Sequence, residues 1–159
     1  MSADERLQAK LDELGIAMPP APQPKGVYTP MLVHGDLAYT SGHLPVQPDG
    51  QLVTGRLGED LDVEAGYAAA RLVGLGVLAT LRTGLGGLAR VRRLVKVLGA
   101  VNGTPEFTAQ PAVVNGFSEL MVEVFGPGSG VGARSAIGVA ALPLGVPVEI
   151  EAVFEVAPA

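Results

Sequence analysis

Residues 126–156 read GPGSGVGARSAIGVAALPLGVPVEIEAVFEV. A glycine-rich loop opens the stretch, and Arg134 stands where that loop gives way to apolar residues. Two extended segments are expected here, over 134–142 and 146–156, with Pro143 and Gly145 marking the turn of a hairpin. In the second segment Glu149, Glu151 and Glu155 alternate with Val148, Ile150, Ala152 and Phe154. Successive side chains of a strand point to opposite faces, so the carboxylates share one face and the apolar residues the other. Val153 lies on the carboxylate face, so that face is not wholly wet.

Upstream, residues 106–125 read as a helix with Pro111 tolerated near its start. Residues 91–101 read as a strand in which Val91, Arg93, Val95 and Val97 alternate with Arg92, Leu94, Lys96 and Leu98. Residues 63–83 read as a long helix with Asp62 as its N-cap, apolar nearly all round, and stopped by Gly84 and the Gly86-Gly87 pair. Residues 28–42 read as a hairpin turning at His34-Gly35-Asp36. Ahead of these, residues 2–14 carry a capping-box pattern (Ser2, Glu5) and an apolar stripe of Leu7, Leu11 and Leu14. Four prolines between residues 18 and 26 then favour an extended connector. The expected division is therefore an N-terminal helix and proline-rich connector over 1–26, an appendage to the main domain over 27–159. The order β-β-α-β-α-β-β predicts an α+β fold with both helices on one face of the sheet.

The 159 residues are ordinary for one domain. There is no cysteine, which excludes disulfides, thiolate metal ligands and a cysteine nucleophile. Residues 1–14 are charged and amphipathic and do not read as a signal peptide, so the expected location is cytoplasmic with no membrane partner. A net charge of −5 argues against a nucleic-acid partner, because phosphate backbones attract basic surfaces. The one basic cluster, Arg90, Arg92, Arg93 and Lys96, reads as the polar side of a strand. Hydrophobic residues make up 48% and charged residues only 17% of the chain. A lone domain would leave much of that apolar surface wet, so a large subunit interface is expected.

Arg134 offers a planar fork that can hold a carboxylate through two hydrogen bonds; the alternative is a surface arginine behind a flexible loop. Glu149, Glu151 and Glu155 include a candidate base for moving a proton of water; the alternative is a solvated strand face. His34 and His43 are the only histidines, and nothing around them has metal-ligand spacing, so no metal is expected. The glycine-rich loop lacks the lysine and hydroxyl residue of a phosphate-binding loop.

Three segments resemble the RidA/YjgF (endoribonuclease L-PSP-like) family: LAYTSGHLP at 37–45, ARSAIGVAALP at 133–143 and VEIEA at 148–152. The likeness runs from about Tyr28 to the C-terminus. It implies a chorismate-mutase-like α+β fold, a homotrimer with a barrel-like core, and clefts between subunits. Characterised members hydrolyse reactive 2-imino acids, such as those from 2-aminoacrylate, to 2-oxo acids and ammonia, without a cofactor. By resemblance Arg134 would grip the substrate carboxylate and Glu149 would hold the attacking water. Tyr28, Ser41, Gly42 and Asn115 would line the pocket, with Tyr28 contributed by the adjacent subunit. The implied partner is a small carboxylate-bearing ligand, a 2-imino or 2-oxo acid. Ala136 stands where many members carry cysteine, the loop before Arg134 is longer and richer in glycine, and the N-terminal helix is extra, which marks a divergent branch. Two further readings remain: a non-catalytic binder of 2-oxo acids, and the endoribonuclease activity for which such proteins are often named.

Overall fold

A computed structural model describes residues 1–159. Its elements are α1 (Ala3–Leu14), β1 (Met31–His34), β2 (Leu37–Thr40), α2 (Val63–Leu85), β3 (Val91–Asn102), α3 (Gln110–Phe125), β4 (Ala133–Val139) and β5 (Val148–Val156). The five strands form one mixed sheet in the order β1-β2-β5-β3-β4. Helices α2 and α3 pack on each other and cover one sheet face, giving the expected α+β architecture.

The last two strands do not form the expected hairpin. β4 pairs in parallel with β3, and β5 pairs antiparallel with β3 on its other side. Proline and glycine fix a local change of direction but not which strand becomes a neighbour. Here the chain leaves β3, crosses through α3 and returns beside β3, the usual way to make a parallel pair. A short turn at Pro143–Gly145 then carries the chain over β3 to the centre of the sheet.

β3 also departs from strict alternation. Its register against β5 shifts between Val91 and Arg93 and again between Leu94 and Lys96. Each irregularity changes which residues share a face, so Leu94 and Val97, three apart, both enter the core while Val95 is exposed.

α2 does not stop at Gly84 but runs to Leu85, with Gly86 as a left-handed cap (φ 74°). A Cβ at Gly84 would overlap the Met31 side chain, so this glycine lets β1 approach the helix. By length and composition α2 could cross a membrane, yet 61% of its apolar window is buried against the rest of the fold, as in a core helix. α3 begins at Gln110, four residues after the expected start, which places Pro111 in the first turn, where its missing N–H costs no helical bond.

α1 is not an appendage. Ser2 and Glu5 form the expected capping box, but Leu7 and Leu11 are buried in the same core as α2, α3 and β5. Polar contacts fasten the helix down: Arg6 Nε donates to the Val124 carbonyl at 2.5 Å, and the Asp4 carboxylate accepts the Leu88 N–H at 2.8 Å. A sequence stripe of three leucines says that one face is apolar, not what that face meets.

The opposite sheet face carries no helix. Register places Tyr39, Val153, Lys96 and Ala133 in one row across it, and Glu149, Ala100 and Ile137 in another. Tyr39, Ile137 and Leu32 are exposed there or on the neighbouring edge strand β1.

Candidate functional site

Arg134 lies on the edge strand β4, away from any hairpin mouth. It pairs with Val97, which pairs with the buried Ala152, so its side chain leaves the sheet on the helix-covered face. There Nη1 donates to Asn115 Oδ1 at 2.8 Å and Ser118 Oγ at 3.1 Å, and Nη2 donates to the Pro111 carbonyl at 3.4 Å. All three partners come from α3, where Asn115 and Ser118 are one turn apart on a helix otherwise rich in apolar residues. The arginines and lysines in ion pairs are Lys10, Arg56, Arg71 and Arg82, and no carboxylate lies within 4 Å of Arg134. The guanidinium is therefore oriented by neutral acceptors while its charge stays uncompensated. It borders a concavity of about 240 Å³ walled by Leu94, Val97, Val122, Val131 and Gly132. Guanidinium charge at a mostly apolar wall suits a small organic anion. The preceding glycine-rich loop is shaped by packing: a Cβ at Gly130 would strike the α3 backbone at Met121 and Val122.

Glu149 lies on the other face, opposite Ala100 on β3. It is half-buried, and burial pushes its carboxyl above the ordinary glutamate range; Glu151 on the same face adds to the rise. Beside it the edge of the sheet is irregular. Tyr39 pairs with Val153 and His43 with Ile150, so four steps along one segment oppose three along the other. The extra residue is accommodated at Ser41-Gly42, as in a bulge, which re-aims backbone near sites. The Ser41 hydroxyl donates to the Thr29 carbonyl at 2.6 Å, tying the bulge to the residues just ahead of β1. A Cβ at Gly42 would overlap the Glu149 carboxylate, so only glycine lets that carboxylate lie where it does.

The site residues read from the sequence thus fall into two groups. Tyr28, Ser41 and Gly42 line one cleft, with Glu149 against Gly42. Arg134 and Asn115 form the other. Within one chain the groups are separated by two strand spacings and three residues of strand, about 14 Å from ordinary sheet dimensions, and they emerge on opposite faces.

Three features were missed in the sequence. Ser118 holds Arg134, and its i,i+3 spacing from Asn115 on an apolar helix was the available signal. His43 is buried, with Nδ1 donating to the Ser41 carbonyl at 2.7 Å and Nε2 accepting from the Thr80 hydroxyl at 2.8 Å. Desolvation pushes its pKa down, so the ring is neutral, although the Ser41 contact opposes the shift. Finally, the proline-rich connector forms a wall of the cleft that Tyr28, Ser41 and Gly42 line.

Known proteins share this fold. Protein TCP17 of Trypanosoma cruzi is 43% identical over 153 residues, 96% of each chain. A protein of unknown function from Agrobacterium tumefaciens has a crystal structure that superposes with a TM-score of 0.87 at 38% identity, covering 97% of this chain and 94% of its own. The crystal structure of RidA from an Antarctic Psychrobacter gives a TM-score of 0.60 at 28% identity, covering 86% of this chain and 94% of its own. The family described as "YjgF/chorismate_mutase-like, putative endoribonuclease" matches residues 8–149. The mixed sheet with its two covering helices is the chorismate-mutase-like frame of these relatives, and the chain belongs to the RidA/YjgF family.

Proposed function

We propose that this chain is a RidA-type deaminase, hydrolysing reactive 2-imino acids to 2-oxo acids and ammonia at sites completed between subunits of a homotrimer. The observation that carries the proposal is the Arg134 guanidinium, oriented by Asn115 and Ser118 and left without a carboxylate partner. A helix-free sheet face that exposes Tyr39, Ile137 and Leu32 among its charged residues, together with the free edge of β4, supplies surface for subunits to meet. Since one chain keeps Arg134 and Glu149 on opposite faces, a neighbouring copy must bring its Glu149, with Gly42 and Tyr28, to the first copy's Arg134.

The chemistry follows from the residue types. Arg134 holds the substrate carboxylate and presents C2 of the iminium group. Water adds to C2 while Glu149 of the neighbouring copy takes one of its protons, and the C=N electron pair moves onto nitrogen. Glu149 returns that proton to the nitrogen of the carbinolamine. The C–N bond breaks, ammonia leaves with its electron pair, and the hydroxyl releases a proton as the 2-oxo group forms. A carboxyl raised by burial suits both halves of this exchange, because its affinity for the proton lies nearer neutrality. Orientation and one acid–base group suffice, so the residues require no metal or cofactor.

The test generates an imine in situ, for example from an amino-acid oxidase reaction, and follows its loss with and without protein. Acceleration that disappears in Arg134→Ala supports the proposal; an unchanged rate in that variant removes it. The separation of Arg134 from Glu149 within one chain favours a second reading, a binding module for 2-oxo acids, which predicts saturable thermal stabilisation by those acids without turnover. Ribonuclease activity, suggested by the family's description, is opposed by the net charge of −5.

A further inference from the structure

We infer that the cleft beneath the proline-rich connector is a side-chain pocket that selects 2-imino acids with a bulky apolar substituent, of the leucine or phenylalanine type. This deepens the reading above and rests on it for the position of the reacting carbon.

The cleft has a volume of about 450 Å³. The single carbon beyond C2 in a 2-aminoacrylate-derived imine would leave nearly all of it empty, whereas cavities of this size commonly enclose whole organic ligands. Ser41 and Gly42 form part of its wall, and the Glu149 carboxylate, itself outside the cleft, lies against Gly42, so one glycine borders both the cleft and the group assigned to the attacking water.

Its lining is apolar from three directions. Pro19, Pro20, Pro22 and Pro24 of the connector close one side, while Leu44, Val46 and Leu52 of the following loop close another. Leu72 and Gly76 of α2 form the floor with His43. His43 acts there as an apolar surface: both ring nitrogens are engaged elsewhere, and its Cδ2 edge lies 3.7 Å from where a Cβ of Gly76 would stand. No carboxylate lines the cleft, and Lys25 is its one cation, a charge balance that admits an organic anion.

An independent feature marks the same place. Leu144 is the only non-glycine residue with a positive φ (58°), and it belongs to the cleft wall while remaining 62% exposed. A branched side chain in the left-handed region is strained, and such strain gathers at ligand-contacting positions. An exposed isobutyl group held this way gains by meeting an apolar substituent, which removes both from water.

The experiment compares kcat/KM for two imines generated in situ, one derived from alanine and one from leucine, in wild type and in Gly76→Leu. At position 76 an added Cβ meets only His43 at ordinary contact distance, and leucine favours helix over glycine, so the variant folds while its side chain fills the cleft. The expected result is a wild-type preference for the leucine-derived imine of roughly tenfold or more, collapsing in Gly76→Leu. Leu144→Gly, which releases the strain and removes the isobutyl group, lowers the preference in the same direction. A wild type that favours the alanine-derived imine, or a preference unmoved by Gly76→Leu, overturns the pocket and leaves the deaminase reading standing. If wild type accelerates neither imine, the deaminase reading falls, and thermal shifts with 4-methyl-2-oxopentanoate and pyruvate decide the pocket. Stronger stabilisation by the branched acid, erased in Gly76→Leu, supports it, and equal shifts overturn it.

Discussion

The two functional halves of this chain are built in opposite ways. Around Arg134, a guanidinium from an edge strand is held against helix α3 by three neutral acceptors, so a positive charge is fixed and unpaired. Around Glu149, a half-buried carboxyl lies over a glycine at an irregular strand end, with a proline-rich connector beside it. One half is rigid and cationic; the other is raised in proton affinity and walled by loops. The difference teaches that a single chain can hold complementary chemistry without holding a site, since the sheet itself stands between the two halves.

The strongest way to break this comparison is to inactivate each half separately and mix. Arg134→Ala and Glu149→Gln are each expected to lower imine hydrolysis on the order of a hundredfold or more. Unfolded and refolded together in equal amounts, they should regain about a quarter of wild-type activity, because a closed ring of composite sites then contains some with both residues intact. No recovery on mixing would mean that the halves do not meet across subunits.

Gly42→Ala probes the Glu149 half alone. The added Cβ overlaps the carboxylate, which is the movable end of a side chain, so kcat should fall roughly tenfold to a hundredfold with little change in Tm. A large drop in Tm with unaltered kcat would show that Gly42 serves only packing. Ser118→Ala probes the Arg134 half. Loss of one hydrogen bond of about 1 kcal/mol should raise KM about fivefold and leave kcat nearly unchanged, and an unmoved KM would remove Ser118 from the site.

The smallest effect lies in the pH profile. Because the Glu149 carboxyl is raised, activity that needs it ionised should fall as pH drops through a value above the ordinary 4.5. Glu151→Gln removes part of the cause and should move that acidic limb of kcat/KM to lower pH. The sign for stability is opposite: the folded state binds this proton more tightly than the unfolded one, so this group's contribution declines as pH rises through the interval between the two pKa values. Glu149→Gln should therefore raise Tm at neutral pH relative to wild type, the difference vanishing in acid.

Most elements were legible because they are written locally. Asp62 caps α2, the Ser2/Glu5 box opens α1, and the alternation of 148–156 gives β5. Illegible features depended on distant partners. Pro143 and Gly145 show a turn but not that β3 separates the strands on either side. Gly84 reads as a stop until Met31 is seen to need the space. At the site, Arg134 and Glu149 stood out by type and position, whereas their opposite faces follow from β3 lying between their strands and from residue parity, which only the register supplies.

The docking of α1 has a consequence for how the molecule is made. The helix is synthesised well before its partner, because its Arg6 is tied to the Val124 carbonyl, 118 positions later. Its leucines have no finished surface to enter until α3 has been synthesised. The flank of the hydrophobic interior that α1 seals therefore stays open until α3 has been made, and a segment synthesised early is among the last to find its place.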